Sequence, residues 1–546
     1  MAPLRNALRY WNTLRYLKPT QILGRVKFRL ARPRVDARPA PQVRENKGSW
    51  IQAARRRKSL DACDTFRFLN ESHSLADVGW NGDQVAKLWR YNQHYFEDLH
   101  GINAEQRSHW HHTLIARWVR ENPAAVGCGW EPYPTSLRMV NWIKWAWQEN
   151  NLSPEAVQSL AVQARWLTQR LEWHLLGNHL FVNAKALIFA GIFFRGPEAQ
   201  GWLEQGFHIL RTQVPEQILS DGGQFERSAM YHSLALEDMF DIWNAVHATG
   251  SALHQTHTDW MRHQRDVIQR MRHWLAAMTH PDGEIALFND AAFGIAPAPA
   301  QLEAYAFRLG FPAISLPQDG VTELQPSGYI RVQQKNMVAI LDVGPIGPDY
   351  LPGHAHADTL SFELSMYGQR VLVDSGTSVY GVGPERLRQR GTAAHNTMTL
   401  SGENSSEVWG GFRVARRATP RDLQVNNHHE RIQVTCSHDG FLRLGGGAIH
   451  RRTWTFSRHS LEVLDVVTGA GKPAIHWHWA PGLQVSNANF ITLSVTPEQQ
   501  ITIDLQSAVW SVEQSTFHPE FGRDEPSCVS VAIPEGCSSI VRFNWS

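Results

Sequence analysis

Leu360-Ser-Phe-Glu-Leu-Ser-Met366 and Arg370-Val-Leu-Val-Asp374 alternate in character at a two-residue period, with Tyr367-Gly368-Gln369 between them. That pattern predicts a β-hairpin with a face in a core. The hairpin returns Asp374 close to the strand it left. Just upstream, His354-Ala-His356-Ala-Asp358, if extended, puts both imidazoles and the carboxylate on one face. Downstream lie Ser375-Gly376-Thr377, Tyr380 and Ala394-His395-Asn396-Thr397. The chemistry is expected between Pro352 and Asn396, with the rest of the chain building a cleft around it.

Working outward, short alternating runs recur after Pro312. They include Tyr329-Ile-Arg-Val332, Met337 to Asp342, Arg431 to Thr435, Arg452 to Phe456, Leu461 to Asp465, Ile491 to Val495 and Ile501 to Asp504. Gly, Pro, Asn and Ser separate them, which predicts antiparallel sheets packed as a sandwich. Pro317-Gln-Asp-Gly320 and Gln325-Pro-Ser-Gly328 supply turns at the boundary.

Before that boundary the apolar period is helical. Ser153-Pro154-Glu155 is a helix start, with Ser as cap and Pro at the first position. Val157, Leu160, Ala161, Ala164, Leu167 and Leu171 follow at helical spacing, towards a stop at Gly177. A second helix is expected from near Asn178 to Gly191, and others over His208–Gln217, Met230–Thr249 and Asp259–Met278. Paired helices of this kind suggest a toroid or another bundle of hairpins.

Composition bounds the function classes. The chain of 546 residues exceeds what one core usually supports. Its formal net charge of +2 gives no support to nucleic acid as a partner. The 22 tryptophans suit helical cores or stacking platforms for sugar rings. Five scattered cysteines imply no disulfide framework. No signal-peptide core is evident, so a cytoplasmic location is expected, with periplasmic or secreted location left open. No apolar run approaches a transmembrane span.

Residues 1–45 form a basic arm: Arg5, Arg9, Arg15, Lys18, Arg25, Lys27, Arg29, Arg32 and Arg34 precede the first acidic residue, Asp36. Such an arm suits a membrane surface or a polyanion. Interleaved Leu4, Leu14, Tyr16, Leu17, Ile22, Val26, Phe28 and Leu30 favour an amphipathic arm packed on the body, and that is the preferred expectation.

His356, Asp374 and His395 offer two neutral nitrogens and a carboxylate, a set suited to zinc or another first-row divalent ion. The alternative is a hydrogen-bonded polar cluster at the end of the sheet. The metal is preferred because such a cluster is costly to bury unpaired, and it leaves His354 for catalysis. On the helical half, Gly177-Asn178-His179-Leu180 and Asp221-Gly-Gly-Gln-Phe-Glu226-Arg227-Ser-Ala-Met-Tyr231-His232 fall at breaks between helices. Asn178 and Asp221 could simply be caps. Arg227 and Tyr231 stand one turn apart, and an adjacent cation would lower the phenol, making Tyr231 a proton carrier.

With both halves in view, the chain resembles the heparinase II/III family of polysaccharide lyases. The resemblance rests on Gly177 to Leu187, Asp221 to His232, His354 to Asp358, Val373-Asp-Ser-Gly376 and Ala394-His-Asn-Thr397, together with Leu88 to Tyr95 and Trp130 to Arg138. It implies an α+β multidomain chain, an N-terminal incomplete α/α toroid followed by a C-terminal antiparallel β-sandwich. The expected domains are the arm at 1–45, the toroid at 46–315 and the sandwich at 316–546.

The resemblance also implies β-elimination at a uronic acid in an acidic polysaccharide, glycosaminoglycan-like or a bacterial exopolysaccharide. Asn178 would then hold the C6 carboxylate, with His179 as the second candidate for it. Tyr231 would be the acid, and also the base when proton and leaving group share a side. His354 would be the base for the opposite epimer, or would assist at the carboxylate. Tyr380 is a further catalytic candidate, and Asn92, His94, Arg138 and Arg227 are candidates for binding the acidic sugar. His356, Asp374 and His395 match a metal site, with zinc first and manganese second. Competing expectations are a glycoside hydrolase using two of Asp221, Glu226, Asp282 and Asp290, or a non-catalytic polysaccharide-binding component of exopolysaccharide synthesis.

Overall fold

The computed structural model describes residues 2–45, 50–148, 150–249, 253, 255–428, 431–485, 490–496, 499–506 and 508–545. Helices Lys87–Tyr95, Ser108–Glu121, Pro132–Trp147, Pro154–Gln169, Gly177–Phe193, Pro197–Gln217, Ala229–Thr249, Gln255–His263, Arg265–Ala277 and Pro299–Arg308 make the first layer. Gly177–Phe193 is apolar nearly all round and lies at its centre, packed by Pro132–Trp147, Pro197–Gln217 and Ala229–Thr249. A small antiparallel sheet of Leu60–Ala62, Thr65–Phe68 and Glu71–Ser74, absent from the sequence expectations, covers one side.

The Ser153 hydroxyl accepts from the Ala156 amide and Pro154 opens the helix, as its sequence signals require. That helix ends at Gln169 rather than at Gly177. The reason is Asn183, whose side chain accepts from the Glu172 amide at 2.9 Å and donates to its carboxylate at 3.1 Å. Glu172 is thereby fixed in the connection. Leu176 and Gly177 then take φ of 66° and 56°, turning the chain into the next helix. A Cβ at Gly177 would sit 2.3 Å from Leu351 Cδ2, so glycine also lets the sandwich approach. The expected helix over Asp259–Met278 is two, meeting at Gln264.

The expected hairpin is present as Phe362–Met366 paired with Gln369–Leu372. Tyr367 and Gly368 turn it with φ of 51° and 84°, the double left-handed conformation of a tight two-residue hairpin turn. One sheet runs in space as Pro420–His428, Arg431–His438, Ile449–Ser457, Ser460–Thr468, Ser538–Trp545, Gln499–Gln506 and Phe490–Thr496. The facing sheet runs as Ala508–Glu520, Arg523–Pro534, Pro473–Trp479, Gln369–Leu372, Phe362–Met366, Met337–Asp342, Tyr329–Gln334 and Gly320–Leu324, with Met398–Leu400 also on Pro473–Trp479. Trp454, Trp477, Trp479, Phe362 and Phe543 fill the space between them. The five cysteines are free.

His354 to Asp358 is not a strand. Pro352–His354 is a single short turn, and the segment is held by the Ala357 amide on the Arg390 carbonyl. The helical and sheet layers are pinned together where the site forms. Asp221 accepts from the Ser327 amide and hydroxyl, Tyr329 donates to the Arg227 carbonyl, and Ser228 donates to the Asp290 carbonyl.

The arm forms helices Ala2–Leu14 and Pro19–Leu30. It packs through Tyr10 on Trp409, Gln21 on the Leu175 and Tyr350 carbonyls, and Phe28 on His174. Packing on the body accounts for only one face, because Ile22, Val26 and Leu30 remain exposed. The side chains of Leu4 and Arg5 lie outside the described residues.

Candidate active site

The centre of the site is a pair of rings. Tyr231, in the first turn of Ala229–Thr249, faces His354 with ring centroids 4.0 Å apart, and its hydroxyl is 3.0 Å from that of Tyr380. The Ser228 hydroxyl accepts from the Tyr231 amide and so starts the helix that carries the phenol. Burial, reinforced by the neighbouring Tyr380 and Asp290, holds the Tyr231 phenol well above its usual range. Burial and Asp290 do the same to Tyr380. Both are neutral proton donors at neutral pH.

Asp290 organises the other partner. One carboxylate oxygen accepts from His354 Nδ1 and the other from His356 Nε2, both at 2.8 Å, while Arg386 grips both oxygens. Burial opposes ionisation here, yet the Arg386 charge and the two imidazole hydrogen bonds outweigh it and hold Asp290 well below the carboxylate range. An ionised Asp290 can only accept. It therefore keeps a proton on His354 Nδ1, which in the neutral imidazole puts the lone pair on Nε2. That Nε2 stands 3.7 Å from Glu226 Oε2, which has no hydrogen-bond partner although buried.

Asn178 and His179 open the helix Gly177–Phe193, whose Gly177 borders Glu226, with a Cβ position 3.4 Å from Glu226 Oε1. The half-buried Asn178 amide makes no side-chain hydrogen bond with another described residue. His179 Nδ1 is 3.1 Å from Glu172 Oε1, and its ring lies on Tyr133 at 4.6 Å. Burial works against the His179 charge, but Glu172 and Glu226 prevail and raise its pKa above the usual 6.5.

Deeper in, His356 and His395 lie with ring centroids 5.2 Å apart, and His395 Nδ1 is 2.7 Å from Asp374 Oδ2. Burial lowers His356 to about 3, so it is neutral. Burial also pushes the Asp374 carboxyl up to about 6 against the pull of His395. His356 Nδ1 and His395 Nε2 are buried without a partner. Since His356 is neutral and Asp290 takes the proton on its Nε2, the orphan Nδ1 of that ring is a lone pair. Burial works against the His395 charge, but Asp374 prevails and raises its pKa above the usual 6.5. Among the described residues, no three His, Cys, Asp or Glu side chains are gathered as a metal site.

Two family models cover most of the chain: the heparinase II/III N-terminus over residues 105–305, and the heparinase II/III-like C-terminal domain over residues 317–545. This chain belongs to the heparinase II/III family. Curated relatives include a heparin-sulfate lyase of Bacteroides stercoris, 29% identical over 334 residues covering 57% of this chain and 47% of the relative. Another, from Pedobacter heparinus, is 27% identical over 55% of this chain and 46% of its own length. The chain thus spans about half the length of the curated relatives it matches. In fold it is similar to a crystal structure of heparinase III, with a TM-score of 0.66 at 18% identity, covering 84% of this chain and 76% of that one.

Within this heparinase II/III architecture, the structure brings Asn178, His179, Tyr231, His354 and Tyr380 together but not the other sugar-binding candidates. His94 is wholly buried, accepting from Trp118 Nε1 and donating to the Trp80 carbonyl, with both ring nitrogens spent. Arg138 is equally buried, bonded to Gln163 and the Gly129 carbonyl, with its guanidinium 3.7 Å from the Trp118 ring centroid. It braces helices instead of meeting substrate, and not through an ion pair. Asn92 donates back to the Leu88 carbonyl and lines a small cavity with Phe66 and Phe68. Arg227 precedes the helix with φ of 60°, and its guanidinium is on the Pro345 carbonyl. The expected Arg227–Tyr231 pairing along one helix face therefore fails, and the phenol is raised where a neighbouring cation was expected to lower it.

Sequence reasoning missed Arg386, although Arg386 and Arg390 stand one turn apart in Pro384–Gln389 and its cap. It also missed the role of Asp290. The loop Asp282 to Asp290 is held at both ends, by Arg370 on Asp282 and by His354, His356 and Arg386 on Asp290. Nothing in the local sequence signals Glu172 or Tyr133.

Proposed function

We propose that this protein is a polysaccharide lyase that cleaves a uronic-acid-containing acidic polysaccharide by β-elimination. The observation that carries the reading is the Tyr231–His354 ring contact, with the His354 Nδ1 proton held by Asp290 and the Tyr231 hydroxyl beside that of Tyr380. The curated relatives named as heparin-sulfate lyases support the same reaction class.

Asn178 and protonated His179 neutralise the C6 carboxylate, which makes the C5 proton removable. His354 Nε2 takes that proton. The C4–O bond then breaks as the C4–C5 double bond forms, and the Tyr231 hydroxyl protonates the departing oxygen. Tyr380 is placed to return a proton to Tyr231. A hydrolase would need two carboxylates free to face the substrate. Asp221 is instead bonded to Ser327, Asp282 to Arg370 and Asp290 to Arg386, which leaves Glu226 alone. The test is near-ultraviolet absorbance of the unsaturated uronate across a panel of glycosaminoglycans, alginate and bacterial exopolysaccharides. New reducing ends without that absorbance would overturn the elimination.

His179 makes the pH dependence predictable. Its folded pKa lies above 6.5, so the imidazolium is fully present at lower pH and is lost as pH rises through that raised value. We expect kcat/KM to fall along this alkaline limb, and the limb to vanish in His179→Gln while the rest of the profile remains. An unchanged limb in that variant would assign it elsewhere.

The same reading includes a divalent ion, zinc first and manganese second, held by His356 and His395 with Asp374. A buried lone pair on His356 Nδ1 with no donor to meet it suits a cation, and Asp374 on His395 Nδ1 is the kind of carboxylate that orients a ligating imidazole. Bound there, the ion would supply fixed positive charge that organises the loops under His354. Elemental analysis should find about one equivalent per chain, lost in His395→Ala together with several degrees of Tm. A metal-free protein whose Tm ignores chelators and added zinc would remove the ion from the reading.

A further inference from the structure

The N-terminal arm is anchored on one face and open on the other. Along Pro19–Leu30, Ile22, Leu23, Val26 and Leu30 are 51%, 69%, 52% and 74% exposed, in a row at helical spacing. Along Ala2–Leu14, Leu8, Trp11 and Leu14 are similarly open. By helical period Arg25 and Arg29 run along one edge of the first row, and Lys27 lies at the other. Arg9 and Lys18 are spent on Glu407 and Glu216 of the body. The exposed Arg25, Lys27, Arg29, Arg32 and Arg34 have no acidic partner among the described residues. No acidic residue occurs before Asp36. Partial burial first, and Arg29 and Arg413 nearby, hold Arg25 below the usual guanidinium range.

A polyanion alone would answer the cations but has nothing to cover four aliphatic side chains. A neutral apolar partner would cover the chains but leave the cations facing it. An anionic bilayer answers both, because its headgroups carry phosphate and the acyl boundary lies just beneath. We propose that the arm docks this protein on an anionic lipid surface, with the Ile22–Leu30 row at the acyl boundary and the flanking Arg and Lys residues on lipid phosphates. Among the described residues, no helix is long and apolar enough to cross a membrane.

Flotation of the full chain with vesicles tests it. Vesicles of phosphatidylcholine plus phosphatidylglycerol should carry the protein at low salt and release it as salt rises, and pure phosphatidylcholine should bind it weakly. Arg25→Gln with Arg29→Gln should lower partitioning roughly thirtyfold. Leu23→Ser with Val26→Ser and Leu30→Ser should lower it at least about tenfold, with unchanged Tm because these side chains face solvent. Absence of flotation with the anionic vesicles would overturn the proposal. So would serine variants that float like the parent while a soluble polyanion competes, which would make the arm a polymer-binding site. A dimer in light scattering that the serine variant loses, without lipid binding, would instead assign the row to a second copy of the chain.

Discussion

Tyr231→Phe should lower kcat by roughly 10³ to 10⁴ while leaving KM within a few fold. The substitution keeps the ring on His354 and removes one oxygen, whose protein partner is the Tyr380 hydroxyl at 3.0 Å. Tyr380 is half-buried and keeps other packing, on Phe412 and Phe521, so the fold loses little. What is lost is the proton for the leaving oxygen. Because burial keeps the phenol protonated well above neutrality, the parent enzyme should show no alkaline limb from Tyr231 itself. Tyr380→Phe separates the two hydroxyls: it should cost less, because Tyr380 acts through Tyr231. Single-turnover absorbance measurements on both variants decide the order. A Tyr380→Phe loss equal to or larger than that of Tyr231→Phe would exchange their roles.

The hairpin at Phe362–Leu372 and the helix Gly177–Phe193 were legible because each is specified locally, by alternation and a left-handed turn in one case and by a continuous apolar run in the other. Asn178, Tyr231 and His354 drew notice as candidates because they sit at element ends where polar residues interrupt the pattern. The failures share a physical cause. His94 and Arg138 look functional in sequence because charged and imidazole side chains are rarely buried, but each finds backbone carbonyls or a ring to satisfy it inside the toroid. Whether a polar residue meets solvent or a carbonyl is settled by partners far along the chain. Arg227 failed for a smaller reason: it is itself left-handed, and the capping Ser228 separates it from the helix that carries Tyr231. Asp290 could not be found from its neighbours, since its partners His354, His356 and Arg386 lie 64, 66 and 96 residues away.

Asp290→Asn should do more damage than its single-atom change suggests, and in two separable ways. Arg386 and Asp290 are both essentially inaccessible, with 1% and 0% side-chain exposure, so an amide leaves a buried guanidinium uncompensated. That should cost about 3–5 kcal/mol of stability. Independently, the amide can donate as well as accept, so His354 is no longer obliged to keep its proton on Nδ1 and its lone pair on Nε2. Misassigned tautomers of this kind cost roughly 10³ to 10⁴ in kcat where the imidazole is the base. The two effects part company in the double variant Asp290→Asn with Arg386→Met. Removing the orphaned cation should restore most of the lost Tm, because an apolar side chain of similar length replaces an unpaired charge. It should not restore turnover, because nothing then pins His354. If the double variant recovered both, Asp290 would be a structural counter-ion for Arg386, and the base would have to be sought on the far side of His354, at the unpartnered oxygen of Glu226.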